Sequence, residues 1–191
     1  MPRMVKGGVR IVGIDDGPFA RGTRGDVVVV GAVYRGGRDF DGLLVTRVRA
    51  DGRNATERLA AMLLGSKFLP QLHYAMLDGI ALGGFNVVDV PLLAARTGLK
   101  VLVVVRRRPD MAAVRRALAR TARAEARFAT MPRAGEIHAV GGLHCQLVGL
   151  DVDEARELLA LTCTRAKIPE PLRAAHLIAG AIATGQSGRR A

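Results

Sequence analysis

Val9-Arg10-Ile11-Val12-Gly13-Ile14-Asp15-Asp16-Gly17-Pro18-Phe19 is an apolar run that ends on two adjacent carboxylates and then breaks at Gly-Pro. Val and Ile favour the pleated backbone and Pro18 cannot donate to a ladder, so residues 9–15 read as a β-strand with the acids at its carboxyl end. Two similar runs follow, residues 26–34 (DVVVVGAVY) and 40–48 (FDGLLVTRV), connected through Gly22, Gly25, Gly36 and Gly37. Short glycine-bearing connections are hairpin signals, so the chain opens with an antiparallel meander of three strands.

Residues 73–78 (HYAMLD) repeat the pattern of the first strand, with Asp78-Gly79 closing an apolar run. If the strands ending in Asp15 and Asp78 are neighbours, two carboxylates meet at a sheet edge, partly desolvated and mutually repelling. That arrangement calls for a cation or a proton between them. Mg²⁺ takes one or two protein carboxylates in such sites and completes its shell with water and substrate phosphate, which suits phosphodiester hydrolysis. Asp-Gly is also a common turn pair, so each acid has a purely conformational reading as well.

Outward from these strands the period changes. Asn54 to Phe68 carries apolar residues at helical spacing, residues 87–97 read as a helix with Pro91 in the first turn, and residues 100–105 (KVLVVV) read as a buried parallel strand. A long helix is expected from Pro109, with Met111, Val114 and Leu118 on one side and Arg116, Arg120, Arg123 and Arg127 on nearly the other. Residues 137–140 and 143–148 suggest a hairpin through Gly141-Gly142. Residues 151–164, capped by Asp151 or Asp153, and 171–183, stopped by Gly185, read as helices. The expected architecture is a single α/β domain over residues 1–186, with a mixed central sheet flanked by helices and a basic tail at 187–191.

The chain has 191 residues, and 29 Lys+Arg against 17 Asp+Glu give a net charge of +12. Hydrophobic residues at 49% exclude a disordered chain, and two cysteines exclude a disulfide framework. No apolar run is long enough for a membrane span and no signal core opens the chain, so a cytoplasmic protein is expected. All but four of the basic residues are Arg, whose guanidinium fork binds two phosphate oxygens at once. Nine Arg against Asp110 and Glu125 place +7 between residues 106 and 133. This segment reads either as a solvated helix face or as a surface that follows a phosphate backbone. Aromatic residues are only 4% and Trp is absent, which leaves Phe19, Phe85 and Tyr74 as the stacking candidates near the acids. His138, His144 and Cys145 lack the paired spacing of a zinc site, and His73 and His176 read as partly buried polar residues.

Glu57 is a third acid with two readings. Asn54-Ala55-Thr56-Glu57 has the form of a capping box, in which Glu57 would serve only the helix start. Taken together and in order, several segments resemble the family catalogued as domain of unknown function ninety-nine, which is similar to endonuclease V and shares its ribonuclease H-like fold. They are Gly13-Ile14-Asp15, Ala55-Thr56-Glu57, Asp78-Gly79-Ile80 with Gly84-Phe85-Asn86-Val87-Val88-Asp89, the strand 101–105 running into Arg106, and Ile168-Pro169-Glu170-Pro171-Leu172-Arg173.

The resemblance implies a divalent-metal-dependent nuclease acting on DNA or RNA, with Asp15, Glu57 and Asp78 as catalytic metal ligands for Mg²⁺ or Mn²⁺. It places Arg106 where endonuclease V has a basic residue. Nucleic acid would be met by Arg106, Arg107, Arg116, Arg120, Arg123 and Arg127, with base or loop contacts from Phe19, Phe85 and Asn86. The chain departs from endonuclease V in having Ala81 to Asn86 in place of a His-Pro-Arg stretch, in lacking a Pro-Tyr wedge before Glu57, and in having no clear late site residue near Gly149 beyond Asp151 or Asp153. A non-catalytic nucleic-acid-binding protein on the same fold is the alternative, and a partner-binding scaffold with an incidental Arg surplus is a third.

Overall fold

A computed structural model describes residues 5, 7–20, 22–119 and 124–188. Its centre is a seven-stranded mixed sheet in the order β3-β2-β1-β4-β7-β9-β8. The meander forms as expected: β1 (Arg10–Asp16) pairs antiparallel with β2 (Asp26–Arg35), and β2 with β3 (Asp39–Arg49). After α1 (Ala55–Leu64) and a 3-10 turn at Leu69–Gln71 the chain crosses to β4 (Leu72–Asp78), which lies parallel to β1. A small ribbon of β5 (Ala81–Leu82) and β6 (Asn86–Val87) leads to α2 (Val90–Thr97). Then β7 (Lys100–Val105) adds parallel to β4. Helices α3 (Met111–Leu118) and α4 (Ala124–Thr130) and a 3-10 turn at Met131–Ala134 precede the hairpin β8 (His138–Val140) and β9 (Leu143–Val148), whose β9 closes antiparallel on β7. The chain ends in α5 (Val152–Thr162) and α6 (Glu170–Thr184). Among the described residues, no helix is long and apolar enough to cross a membrane.

Strand alternation sorts the core into two layers. Val12, Ile14, Leu77, Val101 and Val103 face α1 and α2, while Ile11, Met76, Leu102 and Val104 face the α5 side with Leu158 and Leu172. On the same side, Val28, Val30 and Ala32 of β2 pack on Ala175 and Ala179 of α6.

Two glycines set how close α6 comes to β1. A Cβ on Gly13 would stand 2.2 Å from the Pro171 carbonyl carbon, and one on Gly17 would stand 2.8 Å from the Ala179 carbonyl oxygen. Gly13 to Gly17 spans about 13 Å of strand and Pro171 to Ala179 about 12 Å of helix, so α6 runs alongside β1 in step with it.

Three local expectations are corrected. The capping box does not form: the Asn54 side chain makes no cap bond, and the first N–H of α1, at Ala55, is met by Asn86 Oδ1 at 2.9 Å. The helix expected over 54–68 stops at Leu64. The single long helix after Pro109 is two helices, with residues 120–123 outside the described residues. Arg127, expected on the outer face, is 7% exposed and turns inward to donate to the carbonyl oxygens of Asp51 and Gly52. Asp51 has φ of 49°, a left-handed turn that aims these carbonyls at α4. A straight helix with all four arginines on its outer face could not supply that donor.

Gly13→Ala is expected to cost about 2 to 3 kcal/mol, because the obstruction is backbone and α6 must move away. Equilibrium unfolding checks this, with Gly79→Ala as a comparison at which no atom obstructs the Cβ and only the φ of 82° is strained.

Candidate metal centre

Parallel pairing of β1 with β4 brings their carboxyl ends level, with Ile14 opposite Leu77. The next residues, Asp15 and Asp78, project to the α6 side, since Asp15 is four residues from Ile11 and Asp78 two from Met76, which face that layer. There they meet His176 from α6, whose Nδ1 lies 2.8 Å from Asp15 Oδ2. Ligand atoms of Asp15, Asp78 and His176 all fall within 4.8 Å of one another, the one such group among the described residues. They open onto a cavity of about 680 Å³ that is also lined by Asp16, Phe19, Gly180 and Thr184.

Burial dominates the electrostatics of this group. It raises the Asp15 carboxyl from 3.8 to about 7, with Asp78 and Asp16 pushing the same way against the Asp16 N–H and His176. Asp78 is also raised by burial, while the charge of Arg106 and then His176 pulls it back. Asp16 projects to the other face, where its Oδ2 accepts from the Gly83 N–H at 3.0 Å, and burial raises it too. A buried and a half-buried carboxylate with raised proton affinity are what a cation would relieve. The donor set of carboxylate oxygen and imidazole nitrogen fits a divalent ion.

Glu57 is not brought to this group. It stands exposed on the first turn of α1, 3.5 Å from Arg96, beside a separate small cavity with Arg53, Thr56, Asp89 and Arg127. Asp151 caps α5 through the Glu154 N–H, and Asp153 pairs with Arg156, so neither supplies a late site residue. The third member of the group is His176, which sequence reasoning passed over. Its signal was a polar imidazole set among the small apolar residues Leu172, Ala175 and Ala179 at helical spacing.

Of the proposed base contacts, Phe19 lines the acidic cavity, while Phe85 lines a second cavity of about 740 Å³ that begins at Gly79. Asn86 is fully buried and its amide is committed to Ala55, Arg49 and Asn54, so the expected base contact is corrected to a structural one. Arg106 and Arg107 are exposed beyond the end of β7, and Arg116 is exposed on α3 with Asp110 at 3.9 Å. Arg127 is buried and is not part of a cationic face, and Arg120 and Arg123 lie outside the described residues.

The architecture is a mixed α/β fold similar to that of endonuclease V. The endonuclease V of Ciona intestinalis, solved with a 24mer DNA containing an inosine followed by a ribo-adenosine, superposes with a TM-score of 0.53 at 13% identity, covering 88% of this chain and 82% of that one. A solved protein from Archaeoglobus fulgidus DSM 4304 superposes with a TM-score of 0.85 at 39% identity, covering 91% and 98%. A UPF0215 protein of Methanothermobacter thermautotrophicus is 49% identical over 189 residues, covering 97% of this chain and 93% of its own. The Endonuclease dU family model matches residues 7–183, and the chain belongs to that family.

Because Asp15 holds its proton to about pH 7 in the folded chain but only to 3.8 when unfolded, folding takes up a proton between those values. Metal-free stability attributable to Asp15 is therefore present at the acid end of this window and is lost as pH rises through it. Thermal unfolding from pH 5 upward is expected to show a fall in midpoint that Asp15→Asn flattens. Added Mn²⁺ is expected to reverse the wild-type fall.

Proposed function

We propose that the protein is a divalent-metal-dependent endonuclease that hydrolyses phosphodiester bonds in DNA, with Asp15, Asp78 and His176 forming its metal-binding centre. The convergence of these three side chains within 4.8 Å carries the reading. A bound Mg²⁺ or Mn²⁺ would supply Lewis acidity toward a phosphate oxygen and a water of lowered pKa. Asp15 and Asp78 hold the negative charge that selects the cation. An imidazole donating from Nδ1 orients Asp15 and leaves Nε2 as the nitrogen available to the cation. Arg106 stands close enough to bias Asp78 electrostatically and meets the phosphate at the end of β7.

The family description, endonuclease dU, makes a deoxyuridine-bearing strand the first substrate to test. Support comes from the cavity of about 740 Å³ beginning one residue after Asp78, where Ile80, Phe85 and Met111 offer apolar walls and Arg108, Glu136 and Gln146 polar groups. A base taken out of the stack needs that combination of packing surface and edge recognition.

The displacement of Glu57 favours a second reading, a protein that binds nucleic acid without cutting it, since the centre has one carboxylate fewer than the resemblance implies. Cleavage assays on deoxyuridine, inosine and undamaged strands, with Mg²⁺, Mn²⁺ or chelator, separate the two. Metal-dependent cleavage that falls more than about a hundredfold in Asp78→Asn and His176→Ala supports the nuclease. Glu57→Gln is expected to retain activity. Binding with no cleavage of any strand would establish the second reading.

Arginine roles divide similarly. Arg106→Ala, Arg107→Ala and Arg116→Ala are each expected to reduce the salt slope of DNA binding by about 1. Arg127→Ala is expected to lower the thermal midpoint and leave that slope unchanged.

A further inference from the structure

Strand β3 is the outer edge of the sheet, with β2 as its one strand partner among the described residues. Its ladder parity follows from three bonds. Gly17 N–H donates to Val28 O at 2.9 Å and Gly36 N–H to Val9 O at 2.8 Å, which turns the even-numbered backbone groups of β2 toward β1. The odd-numbered ones face β3, where Val27, Val29 and Gly31 stand opposite Val48, Thr46 and Leu44. Ala50 N–H to Gly25 O at 3.0 Å continues the same parity. Leu43, Val45 and Arg47 therefore direct their N–H and C=O groups away from the sheet.

Natural edges are usually blunted by proline, inward-facing charge or short length. This one runs eleven residues, with Gly42 to Thr46 uncharged, and leaves Leu43 41% and Val45 53% exposed on the sheet face that carries α6, opposite Ala32 and Val30. Its charges are arranged by end, with Asp39 and Asp41 before the apolar centre and Arg47 and Arg49 after it.

We infer that β3 pairs antiparallel with β3 of a second copy of this chain about a two-fold axis at Leu44, joining two seven-stranded sheets into one. In that register Leu43 faces Val45 of the other copy, and the acidic end of each strand lies beside the basic end of its mate. The parity agrees: Leu43 and Val45 carry the outward groups and form the hydrogen-bonded pairs, while Leu44 meets Leu44 at the closely spaced non-bonded position. Moving the axis to Val45 sets Leu43 against Arg47 and Asp39 against Asp51, and moving it to Leu43 sets Asp41 against Val45. Only the Leu44 axis makes the strand complementary to itself, as an isologous interface requires. It also joins the two exposed Leu43 and Val45 patches into one apolar surface.

Sedimentation equilibrium of the full chain is expected to give twice the 20.3 kDa chain mass at about 100 µM. Val45→Pro removes an outward N–H without touching the β2 ladder and is expected to give a monomer with an unchanged circular dichroism spectrum. Arg47→Asp changes an exposed charge only and is expected to weaken association more than tenfold, so the inference stays testable if the proline variant folds poorly. Under mild oxidation Leu44→Cys is expected to crosslink through residue 44. A wild-type chain that stays monomeric at that concentration overturns the proposal. So does a dimer that dissociates no more readily in Val45→Pro and Arg47→Asp than in wild type.

Discussion

The parallel contact between β1 and β4 ends on two acids, one buried and one half-buried, that repel each other, and the rest of the molecule is arranged around that constraint. Neither carboxylate can move off, because Asp15 and Asp78 close strands whose preceding residues are locked in the two core layers. The charge is relieved by proton uptake at Asp15, by His176 from α6 and by the field of Arg106 from the end of β7. Helix α6 can bring its imidazole that close only because Gly13 and Gly17 present no side chain to it. One glycine in the first strand thus serves the fold and the site at once.

The same economy is visible around α1. Asn86, Asn54 and the Asp51 turn form a polar network around the buried Asn86 that closes the helix start and draws Arg127 inward. Among the described residues, Arg127 Nε and Nη1 have no partner and its donors go to carbonyl oxygens. The polar groups here are structural, while Arg106 and Arg107 are exposed beyond the end of β7. What joins the two regions is the β5–β6 ribbon, which fixes Asn86 at one end and borders the second cavity at the other.

Much of this was legible in the residues. Strand period, glycine punctuation and the Asp-Gly breaks located the meander, β4, β7 and the closing hairpin, and they set Asp15 and Asp78 at strand ends. The failures share a cause. Asn54 and Glu57 have the spacing of a capping box, but Asn86, remote in sequence, occupies the position that the box would have filled. The Arg stripe after Pro109 has helical spacing, but a demand from the Asp51 turn pulls one member inside.

By itself, the sequence determined the seven sheet strands and the positions of most helices, which acids terminate strands, and the sign of the charge, because these depend on local period and composition. Only the tertiary structure decided that His176 joins the acids, that Glu57 does not, and that Arg127 and Asn86 are internal. Those outcomes depend on which elements pack against one another, and long-range contact is set by close approach of backbones, which no local spacing records.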